Sequence, residues 1–526
     1  MRRAALTIAL AFAVVSRVQP SSGNRHLLLV LDGLRPDYVT QDVMPNLHAL
    51  GQRGVTFTNH HAVYPTVTRV NASSISTGAY PERHGILGNS VFFPRVDANR
   101  FLDTGQRTNL ERIQRDQDGV LLTAATLGET LRANGKKMLA VGSGTTGAVF
   151  LLNHTVSGGA ILHTEYALPA PLHDRMVAEF GPAPAEGRPN DARNRRAVDA
   201  FLRIGLPVVD PAVTVMWLSD PDTTAHALGM GHPTTVEALR RLDREVLNIQ
   251  NGLRAAGLFD VYNIWVTSDH GFATHTGAPA VRALLEPFAA PLSDGSPRVV
   301  HGETAIYVRD GDRQTVRQIV RALQSTTGVG AIFTQPGRRG SLLGSFEGTL
   351  SFDAARGGHS RTGDILYSPD WSDAANEHGV AGTSASNGVA GHGSSSPFEI
   401  HNTLLAAGPD IAQQATVTIA SGNVDFAPTF LQMLGLPVPS SMQGRPLLEA
   451  MRDPLGKRSE PAVRKTQQVA STADGTYSQT AFFSIVRVGR NEYRYLDYTK
   501  VTRGKKQASL TPTPHSASTD TATSAR

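Results

Sequence analysis

The sequence predicts an α/β fold: a mostly parallel central sheet with helices on both faces, plus surface insertions. Apolar runs of strand length, His26–Leu31, Val213–Leu218 and Asn263–Thr267, are bounded by polar, turn-like residues. That is the pattern of strands buried on both faces. Segments of helical periodicity lie between them, so strands and helices alternate along the chain. Each run is also followed by Asp, or by Asp and His. Open α/β sheets place their sites beyond the carboxyl ends of the strands.

The elements follow in chain order. Arg2 and Arg3 precede an apolar run from Ala4 to Val15 and then Ser16. These are the n-region and h-region of a secretory signal over residues 1–22, and the run is too short for a comfortable membrane span. Export to the periplasm or the medium is expected, with no stable span once the signal is removed. One main domain then covers 23–458. HLLLVL reads as a strand ending at Asp32, with a turn-like Gly33–Asp37 after it. Met44–Leu50 reads as a helix closed by Gly51 and Gly54. Gly181–Arg195, rich in Pro, Gly and charge, reads as a surface insertion. Val213–Leu218 ends just before Asp220 and Asp222. Thr235–Ala256 is a long amphipathic helix with Leu239, Leu242, Val246 and Leu253 on one side. Asn263–Thr267 ends before Asp269 and His270, and Leu404–Ala407 reads as a fourth strand. The Ser/Gly/Ala-rich Ala381–Ser396 reads as a flexible loop. Residues 459–502 form a C-terminal extension with a hairpin over Ala481–Tyr498, and the basic, then Ser/Thr-rich 503–526 reads as a disordered tail.

Composition narrows the function. The chain has 526 residues, 40% hydrophobic and 18% charged, so its bulk is globular. Its net charge is only +5, with no dense Lys/Arg stripe, so nucleic-acid binding is not indicated. There is no cysteine, which excludes disulfides and thiolate metal sites. Zinc would be held by His and carboxylates. The oligomeric state is not legible.

The polar residues after the strands supply such ligands. Asp32 follows one strand, Asp222 and His226 another, and Asp269 with His270 a third; His392 lies between Gly391 and Gly393. Three Asp and three His suit two zinc ions. Asp222 and His226 are four apart, so a helical turn puts them on one face. Singly, each of these residue types is also a common cap, turn or helix-surface residue. Their joint occurrence in this order points to chemistry. Tyr64–Asn71 precedes a small, helix-compatible stretch, Ala72–Thr77, and then Gly78. A threonine at a helix N-terminus lies beside outward N–H groups that suit a phosphate oxygen. On local sequence alone, Thr66 or Thr68 is better read as a helix cap.

The string LDGLRPDYV…MPNLHALGQRGVTFTNHHAVYPTVTRVNASSISTGAYPERHGILGN resembles the nucleotide pyrophosphatase/phosphodiesterase family (type I phosphodiesterases) of the alkaline phosphatase superfamily. DPDTTAHALG, VTSDHGF and GHGSSSPFEIHNTLLAAGPDI resemble that family's remaining blocks, in the same order, over roughly residues 26 to 450. The resemblance implies an alkaline-phosphatase-like fold, two Zn2+ per chain and a phospho-threonine intermediate. It implies Thr68 as nucleophile and ligand to one ion, with Asp32, Asp269 and His270. It implies Asp222, His226 and His392 around the other ion. Asn89 matches the side-chain amide that hydrogen-bonds a nonbridging phosphoryl oxygen.

Two departures bear on the substrate, a small phosphate ester or anhydride. Nucleotide-cleaving relatives show Thr-Phe-Pro-Asn, whereas this chain has Thr68-Arg69-Val70-Asn71. The aromatic residue that helps sandwich a base is absent. Arg69 is a candidate substrate-binding residue for a second anionic group, or a solvated or structural Arg. Monoesterases of the superfamily carry a Lys-x-Arg pair where this chain has Gly144 and Thr146, which favours a diester. A phosphomonoesterase or phosphonate hydrolase on the same scaffold is the alternative, and a non-catalytic zinc-binding protein a more distant one.

Overall fold

The computed structural model describes residues 24–452 and 461–504. The expected signal segment, and the tail from residue 505 on, lie outside the described residues. Nine strands form the central sheet: β1 (Arg25–Leu31), β2 (Val55–Phe57), β3 (Met138–Gly142), β4 (Ala160–His163), β5 (Ala167–Leu168), β6 (Val213–Leu218), β7 (Tyr262–Thr267), β8 (Leu404–Ala407) and β9 (Ala415–Val417). Their order is β9-β2-β8-β7-β1-β6-β3-β4-β5. The middle of the sheet, β7-β1-β6-β3-β4, is parallel. β8 runs antiparallel to both its neighbours, and β5 antiparallel to β4.

Alternation along β1 explains its place. Leu28 and Val30 enter one core with Trp217, Trp265, Ala72 and Ile75. Leu27, Leu29 and Leu31 enter the opposite core with Leu239, Leu242 and Val246. Burying each such side chain stabilises by about 1.5–3 kcal/mol, so a strand apolar on both faces is stable only between two helical layers.

Four helices matter to the site: α1 (Pro45–Arg53), α2 (Thr68–Thr77), α3 (Asp222–Leu228) and α4 (Pro233–Ala255). α2 lies deep in the protein although it is rich in hydroxyls. Its residues are small, and Ser73, Ser76 and Thr77 return their hydroxyls to the helix backbone. Gly78, at φ +62, ends it in the left-handed conformation that glycine takes without strain.

Two sequence expectations need correction. Ala381–Ser396 is not a flexible loop. It contains strands Ala381–Ser384 and Ala390–Gly391, which join Trp371–Ala375 and Ala273–His275 in a four-stranded sheet. Ser394, Ser395 and Ser396 are buried, because small side chains let the backbone pack closely. Gly181–Arg195 is likewise more than an insertion. Asn190 and Asn194 turn inward and donate hydrogen bonds to Asp220.

A five-stranded sheet, including Val299–Gly302, Ala305–Val308 and Ile365–Pro369, stands beside the site. The last described segment folds as three antiparallel strands: β10 (Ala462–Ser471), β11 (Tyr477–Val488) and β12 (Asn491–Arg503). It docks on the main body partly through Tyr495, whose hydroxyl donates to Asp425 Oδ2 at 2.9 Å.

Candidate active site

β7, β1 and β6 are adjacent, and their carboxyl ends deliver Asp269–His270, Asp32 and the Asp222 turn to one place. α3 begins at Asp222, so His226 sits one turn on, with its Nε2 3.1 Å from Asp222 Oδ1. His392 follows Ala390–Gly391 and puts its Nε2 3.3 Å from the same oxygen. His270 Nε2 lies 3.0 Å from Asp269 Oδ2 and 3.6 Å from Asp32 Oδ1. The His270 and His392 rings stack at 3.5 Å, which joins the two groups. Thr68 opens α2, is buried, and holds its Oγ1 3.4 Å from His270 Nε2.

The hydrogen bonds around these groups face outward, away from the centre. His226 Nδ1 donates to the Ala390 carbonyl, His270 Nδ1 to Gly271 and His392 Nδ1 to Thr66, at 2.8–2.9 Å. Each leaves an Nε2 lone pair for the interior, as metal-binding imidazoles do when the other ring nitrogen donates to a carbonyl. Trp217 Nε1 donates to Asp32 Oδ2 at 2.8 Å, and Gly33 N–H to Asp269 Oδ1 at 3.1 Å. The other oxygens, Asp32 Oδ1, Asp222 Oδ1 and Asp269 Oδ2, are buried without a hydrogen-bond partner. Burial, with Asp269 and Asp222 facing it, holds the Asp32 carboxyl well above the usual range. Burial and the neighbouring His270 push His392 down to about 4. Three inward carboxylate oxygens and three inward imidazole nitrogens therefore fit divalent cations, which would satisfy all six.

All six candidate ligands and Thr68 thus converge. Asn89 lies at the start of α2, where its Oδ1 accepts Arg69 N–H at 3.0 Å, and it lines a cavity of about 340 Å3 with His226, His392 and Glu303. Its amide nitrogen remains available to a ligand. Arg69 does not point freely into the site: its Nη2 lies 3.4 Å from Asp103 Oδ1. Thr68 is not a cap, since no side chain caps α2. Thr66 is not a cap either. It donates its hydroxyl to the Ser394 carbonyl, accepts Gly393 N–H, and orients His392 through its own carbonyl.

Sequence reasoning missed the supporting shell. Trp217 reads as an apolar strand residue, yet its indole edge orients Asp32. Asn423 donates to both Asn71 Oδ1 and the Asp269 carbonyl, tying α2 to the end of β7. Asn71 in turn donates to the carbonyls of Val63 and Val67.

Fold and site together define an alkaline-phosphatase-like α/β protein with a candidate two-cation centre. The profile of the type I phosphodiesterase / nucleotide pyrophosphatase family matches residues 26–379, and the chain belongs to that family. Over 252 residues it is 26% identical to human (Homo sapiens) ectonucleotide pyrophosphatase/phosphodiesterase family member 1, covering 47% of this chain and 23% of that protein. Over 248 residues it is 25% identical to the venom phosphodiesterase of Macrovipera lebetinus, covering 47% and 25% respectively. The chain thus aligns with about a quarter of these relatives' length. Among solved structures, murine ectonucleotide pyrophosphatase / phosphodiesterase 5 shares the fold with a TM-score of 0.55 at 18% identity, covering 79% of this chain and 96% of that one. A variant of the alkaline phosphatase PafA shares it with a TM-score of 0.64 at 16% identity, covering 82% and 100%.

Proposed function

We propose that this chain is an exported phosphodiesterase of the nucleotide pyrophosphatase type, working through Thr68 with two zinc ions. The observation that carries the reading is the set of three buried, unpartnered carboxylate oxygens facing three Nε2 lone pairs, with Thr68 Oγ1 beside them. Asp32, Asp269, His270 and Thr68 would hold one ion; Asp222, His226 and His392 would hold the other. When bound, such a pair lowers the pKa of a coordinated hydroxyl or water and offsets charge on the attacking and leaving oxygens. Export accords with the N-terminal segment and with relatives named as a venom enzyme and an ectoenzyme. Among the described residues no helix is long and apolar enough to cross a membrane.

Thr68 Oγ1 attacks phosphorus and the bond to the leaving alcohol oxygen breaks, which leaves the phosphoryl group on Thr68 and releases the alcohol. Water then attacks the same phosphorus, the bond to Thr68 breaks, and the hydroxyl is restored. The Asn89 amide donates to a nonbridging oxygen as charge develops there. Thr66 fixes His392, and Trp217 fixes Asp32, through both half-reactions. Arg69, paired with Asp103, borders the substrate.

A diester substrate is supported where monoesterases carry their two cations. Gly144 has no side chain, its carbonyl accepts His163 Nε2, and Thr146 donates its hydroxyl to the Gly105 carbonyl. A monoesterase reading draws only on the fold shared with PafA. The test is a substrate ranking on zinc-loaded protein. Bis-p-nitrophenyl phosphate or thymidine p-nitrophenyl phosphate should turn over faster than p-nitrophenyl phosphate. The reverse ranking favours the monoesterase, and no metal-dependent turnover on any ester means a binding protein.

A further inference from the structure

A second convergence of ligand-type side chains lies where the C-terminal sheet meets the main body. His61, His401 and Asp497 each offer one ligand atom, and the three atoms lie within 4.8 Å of one another. None belongs to the constellation around Thr68. His61 and Asp497 are buried, and His401 is partly buried.

Three features bring these groups together. The first is ring orientation. His61 Nδ1 lies 2.8 Å from the Ser421 carbonyl, where it can only donate, so its Nε2 lone pair faces Asp497 Oδ1 at 2.8 Å. The three imidazoles beside Thr68 are set in the same way. The His401 ring meets that of His61 at 4.6 Å. The second is a β-bulge. Phe482 pairs with Tyr498 and Phe483 with Leu496, so Asp497 is the extra residue on β12 and its side chain is buried. Bulges re-aim side chains in this way. The third is the carboxylate's own support: Ser484 donates its hydroxyl to Oδ1 at 2.7 Å, and Lys465 donates to Oδ2 at 3.0 Å.

A lone pair on His61 Nε2 cannot rest 2.8 Å from a carboxylate oxygen without positive charge between them. A single proton would serve that pair. It would not explain a second imidazole whose ligand atom lies within 4.8 Å of both partners. We infer that His61, His401 and Asp497 form a third metal site, for a zinc-like divalent transition ion. Two imidazoles, one carboxylate and a water complete a tetrahedral set. The ion clamps β12 to the His60–His61 strand. His60 Nε2 faces Asn423 at 3.1 Å, and Asn423 supports both Asp269 and Asn71, so the clamp reaches the scaffold behind Thr68.

The test counts metal. Full-length wild type, His401→Gln, Asp497→Asn and His226→Ala are loaded with zinc, freed of excess ion and measured by elemental mass spectrometry per chain. His401→Gln and Asp497→Asn should each carry one zinc fewer than wild type. Combining His401→Gln with His226→Ala should subtract both losses. Because the readout is a difference, it stands whether or not the centre beside Thr68 takes two ions; that question is read from His226→Ala alone. Should Asp497→Asn not fold, His401→Gln at its partly buried position decides. An unchanged zinc count in folded His401→Gln overturns the proposal and makes the cluster a buried imidazolium–carboxylate pair.

Discussion

The two halves of the candidate centre are built alike and buried differently. In the half holding Thr68, the side chains of Asp269 and His270 are 0% exposed and that of Asp32 is 7%. In the other half, His226 is 44% exposed, Asp222 16% and His392 5%, and His226 borders the cavity. The closed half has its carboxylates fixed by Trp217 and Gly33, with Asn423 on the Asp269 carbonyl. The open half is held by the carbonyls of Ala390 and Thr66. A dry, rigid half suits a nucleophile that must stay in place. A half open to solvent suits the entry of water and the departure of product.

The strongest way to break this contrast is to remove the nucleophile. Thr68→Ala should lower kcat by at least ~10³-fold, the scale for deleting a covalent nucleophile, with the zinc content unchanged. Retained turnover would remove Thr68 from the chemistry. His226→Ala acts on the open half and should slow the second half-reaction, by about 10²-fold. Rapid mixing should then show a burst of released alcohol; a single slow phase would argue against a division of labour. Trp217→Phe keeps an aromatic ring in the core but removes the indole bond to Asp32. It should weaken zinc binding by about 10–100-fold in the closed half, as chelator competition would measure.

Asp32→Asn sharpens the same contrast with opposite signs. In chelated protein the Asp32 carboxylate is destabilised by burial and by Asp269 and Asp222, so the amide should raise Tm. In zinc-loaded protein the same change should lower Tm, because a ligand is lost. A Tm that falls in both states would contradict the cation-shaped reading. Arg69→Ala should have the smallest effect, about a few-fold rise in KM with little change in kcat, since the guanidinium is already engaged by Asp103.

The sequence made the strand-end carboxylates legible, because an apolar run that stops at Asp32 or Asp269 marks a carboxyl edge without reference to anything distant. Asp222 and His226 were legible through their spacing, which the first turns of α3 realise. The shell was not legible. His392 and Thr66 are 326 residues apart, and no local pattern encodes that contact. Trp217 fits an apolar strand whether or not its N–H has a partner. Ala381–Ser396 looked mobile because small residues are common in loops. The same residues also let two backbones approach closely, and burial decides between the two outcomes.

The central claim, attack by Thr68 followed by attack of water, is tested most directly by the stereochemical course at phosphorus. A phosphorothioate diester of known configuration is hydrolysed in isotopically labelled water, and the product configuration is read by 31P NMR. Two successive in-line displacements predict net retention. Net inversion would show that water attacks the substrate directly, and would contradict the account.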